Sequence, residues 1–184
     1  MPVKKKTVKS PAATAKPAPS AAKAAAPASL ALEGRKAPAF ELPSGEGGTV
    51  KLADLVRKGN VVLYFYPKDM TTGCTAEACS FRDNLAGVRK LGAQIVGVSA
   101  DTPASHVKFT GKYELNFPLL SDVDNKVGKL YGVYKMKSMY GRQYMGIERT
   151  TFVIDRAGVV RKVFAKVKVT GHTDEVVAAL KALG

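Results

Sequence analysis

A chain of 184 residues, 46% of them hydrophobic, has the size of one ordinary domain with its own core, and its longest apolar runs are strand-sized rather than membrane-spanning. Two cysteines are too few for a disulfide framework, and C-x4-C with two distant histidines, His106 and His172, makes a poor zinc site. The net charge of +14 is uneven: residues 1–29 carry six lysines and no acid, leaving +8 on the rest, a surplus that favours polyanions or acidic protein surfaces through attraction that salt weakens.

In chain order, "MPVKKKTVKSPAATAKPAPSAAKAAAPASL" (1–30) is mostly Ala, Pro, Lys and Ser. So few large apolar side chains do not offset the entropy of ordering, and a disordered basic tail is expected before a single domain spanning residues 31–184. The tail lacks the continuous apolar stretch of a secretory signal, and its lysine bias without arginine argues against an organelle transit peptide. "NVVLYFY" (60–66) predicts a buried strand, followed by a helix from near Gly73 to about Lys90. "AQIVGVSA" (93–100) predicts a second buried strand, and "DTPASHVKFTGKYEL" (101–115) a capped helix with proline in its first turn. "VDNKVGKLYGV" (123–133) suggests a short helix. "ERTTFVID" (148–155) and "VVRKVFAKV" (159–167) flank "RAG" as a β-hairpin, and "TDEVVAALKAL" (173–183) closes the chain as a helix capped by Thr173. This order predicts an α/β fold, a mixed central sheet covered by helices on both faces.

The chemistry gathers in "YPKDMTTGCTAEAC" (66–79), which holds both cysteines. Cys74, Ala78, Phe81, Leu85 and Val88 fall on one inward stripe of the predicted helix, so Cys74 sits in its first turn, just past a strand end. A helix start offers unpaired N–H groups and a partial positive charge, which favour a thiolate. Ionisation alone achieves little. A thiol of ordinary acidity is about 3% ionised at neutral pH, so full ionisation gains roughly thirtyfold, of which reduced nucleophilicity forfeits about tenfold. Cys79 lies five residues on, which in a wound helix puts the two Cα atoms roughly 8.6 Å apart, beyond the ~7 Å reach of a disulfide. A helix carrying a cooperating pair must unwind locally before the sulfurs join. Without Pro67 and Thr71 ahead of them, the two cysteines would read as small buried hydrophobes.

Pro67, Thr71 and Cys74 spell P-x3-T-x2-C, and Cys79 completes C-x4-C. With "FYPKDMTTGCTAEAC", "FPLLSD", "YGV" and "RTTFVID" in the body, residues 35–184 resemble the peroxiredoxins, in particular the peroxiredoxin Q or bacterioferritin comigratory protein group. Many relatives have proline where this chain has Thr72, a change in the stiffness of the turn that removes no hydrogen-bonding group. The resemblance implies a thioredoxin-like fold and thiol-dependent reduction of hydrogen peroxide and organic hydroperoxides. Carried over by position, Cys74 is the peroxidatic nucleophile and Thr71 orients the peroxide. Arg149 stabilises the thiolate and the reacting oxygens, Pro67 shields the pocket from water, and Cys79 is the resolving thiol, forming an intramolecular disulfide. Thioredoxin or glutaredoxin is implied as the reductant, with no metal, haem or flavin, a monomeric state and a cytoplasmic location.

Each residue has a plainer reading. Thr71 alone would cap a helix, Pro67 alone would end a strand, and lone arginines usually belong to solvated faces. Strand alternation puts Ile147, Arg149, Thr151 and Val153 on one face, an odd place for a charge unless something anionic meets it. His106 and His172 are expected to be surface or hydrogen-bonded residues, and Tyr140 and Tyr144 to edge the pocket. Two other functions compete: a thiol-disulfide oxidoreductase, which would use C-x-x-C, and a nucleic-acid-associated protein acting through residues 1–30, nuclear or at the nucleoid, with salt-sensitive binding.

Overall fold

Val61 to Tyr66 are all buried, which a strand achieves only when a packed layer covers each face. The computed structural model describes residues 28–184 and supplies both layers. Its central sheet runs β5 (Leu119–Ser121), β4 (Ala93–Ser99), β3 (Asn60–Phe65), β8 (Thr150–Ile154) and β9 (Val160–Ala165). β3 and β4 are parallel, as are β4 and β5, while β8 runs antiparallel to both β3 and β9. The expected mixed sheet is present, and the "RAG" turn closes the β8–β9 hairpin with Gly158 at φ +73°, a conformation that costs glycine nothing.

Alternation along β3 sorts the core. Val61, Leu63 and Phe65 pack with Val96, Val98, Phe152 and Ile154 against Leu52 and Leu55 of α1 (Leu52–Lys58) and Val127 of α4 (Lys126–Leu130). Val62, Tyr64 and Tyr66 pack with Ile95 and Val153 against α2 (Thr72–Lys90), α3 (Pro103–Tyr113) and α5 (His172–Lys181). Helices therefore cover both faces, and the predicted stripe from Cys74 to Val88 is buried throughout. Fully burying each such Leu, Val or Phe contributes about 1.5–3 kcal/mol.

Four features depart from the expectations. The N-cap of helix α5 lies two residues earlier, at Gly171 (φ +77°). Thr173 is buried inside the first turn, its hydroxyl 2.7 Å from that of Ser80 on α2, so it ties two helices together instead of capping one. Two short hairpins, β1 (Glu41–Pro43) with β2 (Thr49–Lys51) and β6 (Tyr134–Met139) with β7 (Arg142–Ile147), lie outside the central sheet. Ile147 ends β7 and packs on the opposite side of the sheet from Val153, because the strand is interrupted at Glu148 and Arg149, the Glu148 N–H turning to Val133 O (2.8 Å). Finally, Ser29 is buried and Leu30–Leu32 form a 3-10 turn, followed by Glu33 accepting from the Val163 N–H (3.0 Å). Folded contacts thus start ahead of the expected boundary at residue 31. Residues 1–27, with their expected disorder and nucleic-acid contacts, lie outside the described residues.

Candidate active site

β3 delivers the chain to the edge of the sheet at Phe65, and residues 66–71 turn it into α2. Met70 in that turn has φ +62°, a left-handed conformation that costs a side-chain-bearing residue about 1–2 kcal/mol. Thr71 stands at the N-cap but does not cap with its side chain. Its hydroxyl donates to Lys68 O (3.1 Å), which leaves the oxygen free to accept, on an exposed residue.

Cys74 follows in the first turn. The Thr75 N–H closes back on Thr71 O (2.8 Å), and helix geometry leaves the N–H groups of 72–74 without intrahelical acceptors. Arg149, between β7 and β8, donates from Nη2 to Cys74 Sγ at 3.2 Å and from Nη1 to Glu77 Oε2. Gly73 leaves room for this approach: a Cβ there would stand 3.2 Å from Arg149 Nη2. Burial works against the Arg149 charge, but the Glu77 and Cys74 charges and their hydrogen bonds outweigh it and hold the guanidinium protonated. The odd charge on an apolar face has therefore found its partners. Cys74 is only 2% exposed, as its place on the inward stripe of α2 dictates.

Glu77 was not anticipated. It is buried in the stripe one turn beyond Cys74, with Oε1 unpartnered. Burial pushes its carboxyl up to about 7, even though the Arg149 charge and hydrogen bond pull the other way. A glutamate three residues after the cysteine, on an otherwise apolar helix face, is a signal visible in the sequence.

The other expected residues fall into place unevenly. Cys79 is half-buried on the same unbroken helix, and both thiols are free. Pro67 lines a cleft of 260 Å³ with Ala100, Tyr134, Tyr144 and Met145, but neither Cys74 nor Arg149 reaches its wall. Tyr144 edges that cleft rather than the surroundings of Cys74. Tyr140 does not, standing 97% exposed at the hairpin tip. His172 is buried with Nε2 2.8 Å from Thr151 Oγ1, and burial holds it below its ordinary range against the pull of Glu175. His106 is buried against Asp69. A second cleft, of 620 Å³, at the far end of β3 by Asn60, Leu91, Arg156 and Arg161, contains no cysteine or histidine. Among the described residues there is no cluster of three or more metal-ligating side chains and no helix long and apolar enough to cross a membrane.

Comparison with known proteins adds an independent line. A family model described as the AhpC/TSA family matches residues 34–163. The chain is 49% identical over 148 residues to the peroxiredoxin Bcp of Bacillus subtilis, covering 80% of this chain and 94% of that protein. Among solved structures, Xanthomonas campestris peroxiredoxin Q superposes with a TM-score of 0.73 at 44% identity, covering 78% of this chain and 90% of that one. A bacterioferritin comigratory protein of the same organism, described for its alkyl peroxide reduction activity, superposes with a TM-score of 0.74 at 43% identity, over 78% and 91% of the two chains.

Proposed function

The chain belongs to the AhpC/TSA family, and we propose that in it Cys74 attacks the hydroperoxide and Cys79 resolves the product. The chain is a thiol peroxidase. One observation carries the residue assignment: a guanidinium that touches both the Cys74 sulfur and the buried Glu77 carboxylate.

The Cys74 thiolate attacks one peroxide oxygen, the O–O bond breaks, and the displaced hydroxide or alkoxide takes a proton and leaves as water or alcohol. A sulfenic acid remains on Cys74. Since ionisation alone yields little net rate, the acceleration rests on donors fixed where charge shifts between the oxygens. Arg149 and the unpaired first-turn N–H groups are those donors, while Thr71, whose hydroxyl proton goes to Lys68 O, orients the peroxide by accepting from its O–H. Glu77 is a positioning residue that holds Arg149 in place, and Pro67 screens the site from water. Helix α2 then unwinds at its start, the Cys79 thiol displaces water from the sulfenic acid, and an intramolecular disulfide forms. A dithiol, thioredoxin or glutaredoxin, returns both thiols by exchange. The alkyl peroxide reduction described for the Xanthomonas protein supports organic hydroperoxides as substrates beside hydrogen peroxide. The enzyme works as a cytoplasmic monomer, with residues 1–27 dispensable for turnover.

The competing functions are not favoured. A C-x4-C pair on one wound helix is not the C-x-x-C of a disulfide oxidoreductase, and the family match lies in the body rather than the tail. Peroxide consumption by the full chain, by Cys74→Ser and by a variant lacking residues 1–27 tests the assignment. Loss of turnover in Cys74→Ser alone is the expected result, and residual turnover there overturns it. Mass spectrometry after one equivalent of peroxide should show the Cys74–Cys79 disulfide in the parent and a lasting sulfenic acid in Cys79→Ser; a parent chain without the disulfide removes the role of Cys79.

A further inference from the structure

The turn that aims Thr71 and Cys74 is tied to the rest of the protein by one buried carboxylate. Asp69 is 5% exposed and accepts three hydrogen bonds: from Tyr66 Oη (2.7 Å) to Oδ1, and from Ser105 Oγ (2.7 Å) and His106 Nδ1 (2.9 Å) to Oδ2. Its own N–H donates to Asp101 Oδ2 (2.8 Å), which also receives the Ser99 hydroxyl (2.7 Å). Ser105 and His106 belong to the first turn of α3, and Ser99 ends β4. The cluster therefore locks residues 66–71 to two elements that have no part in the chemistry. With the carboxylate at Nδ1, the proton sits on that nitrogen, and Nε2 is buried without a partner. The next residue, Met70, is the one in the left-handed conformation, which persists only where its surroundings over-determine it.

We infer that the Asp69–His106 clamp is a positioning device that favours the wound, peroxide-reactive form of the active-site turn over the frayed form that makes the disulfide. The inference rests on the roles proposed above for Cys74 and Cys79. The clamp touches neither sulfur. By holding Met70 in its unfavoured conformation it fixes where Thr71 and the first turn of α2 point, and the same bonds resist the unwinding that brings Cys79 to the sulfenic acid. It thereby prolongs the life of that acid, which a second peroxide molecule can oxidise to the sulfinic state with release of another water or alcohol.

Two rate constants, measured by stopped flow on the reduced full chain, test this: Cys74 with hydrogen peroxide, and sulfenic acid to disulfide. In His106→Leu the first should fall about tenfold, as for a modest misplacement of reacting groups, while the second holds or rises and less sulfinic acid accumulates at a given peroxide excess. Asparagine places an N–H where Nδ1–H stood, so His106→Asn should stay within about twofold of the parent in both steps, whereas His106→Gln should resemble the leucine variant. Should His106→Leu not fold, Ser105→Ala decides on the same two readouts, with a smaller shift of the same opposite signs. Equal slowing of both steps, unchanged rates in the leucine and alanine variants, or an asparagine variant as impaired as leucine overturns the clamp. A parent chain that forms no disulfide would instead overturn the underlying assignment of the cysteines.

Discussion

Two buried carboxylates flank Cys74, one in the turn before it and one on the helix after it, and they have opposite fates. Asp69 is pushed up by burial, but hydrogen bonds from His106, Ser105 and Tyr66 more than compensate and hold it below its ordinary range. Glu77 has a full positive charge in contact and is still driven up to about 7. Several fixed donors converge on the first; the second has one partner, shared with a sulfur, and an unsatisfied oxygen. Burial outweighs the single shared partner at Glu77, whereas at Asp69 the converging donors outweigh burial. The contrast suits two tasks. Asp69 anchors, and Glu77 keeps Arg149 available to a second anion.

Arg149→Met attacks this comparison hardest. It removes the donor shared by sulfur and carboxylate, and the peroxide rate constant should drop by about two to three orders of magnitude. Stopped-flow kinetics that show less than about a fivefold loss would mean that Arg149 is a structural ion-pair partner only.

Stability against pH separates the two acids by sign. Glu77, raised from 4.5 to about 7, contributes stability that is full below pH 4.5 and lost as pH climbs through about 7, with an amplitude of up to roughly 3 kcal/mol. Asp69, lowered from 3.8, contributes stability present above that value and lost as pH falls through its depressed one. Urea denaturation across pH should show Glu77→Gln flattening the neutral limb and Asp69→Asn flattening the acid limb. Both variants acting on the same limb would erase the contrast.

Gly73→Ala should have the smallest effect. A methyl group 3.2 Å from Arg149 Nη2 pushes on the far end of a flexible side chain, so peroxide turnover should fall only about two- to fivefold with the melting temperature nearly unchanged. A loss as large as that of Arg149→Met would show that the guanidinium has no room to yield.

The strands and helices that carry the site were legible because burial imposes their periods: β3 and β4 as continuous apolar runs, α2 as a stripe at spacings of three and four. The places of Thr71 at the N-cap and of Cys74 in the first turn of α2 were legible from the helix stripe and its start. Arg149 stands beside the sulfur, although the alternation used to argue for it fails at Ile147, because the strand is interrupted at Glu148 and Arg149 and the faces are reset. Glu77 was overlooked because the stripe was read for its apolar members. The clamp was invisible for a different reason: Asp69 and His106 are 37 residues apart, on a turn and a helix that only the sheet brings together. The β6–β7 hairpin was missed because Met136, Met139, Tyr144 and Met145 are exposed, so no one-sided pattern marks it as a strand pair. Thr173 was misassigned because Gly171 can take the left-handed conformation that sets the N-cap two residues earlier.

Near-complete enclosure of Cys74 makes selectivity a matter of admission. Bulky alkylating reagents should reach the sulfur only when the first turn of α2 opens. Labelling by such reagents therefore clocks the opening itself, and any substitution that eases the opening should quicken the labelling while peroxide reacts no faster.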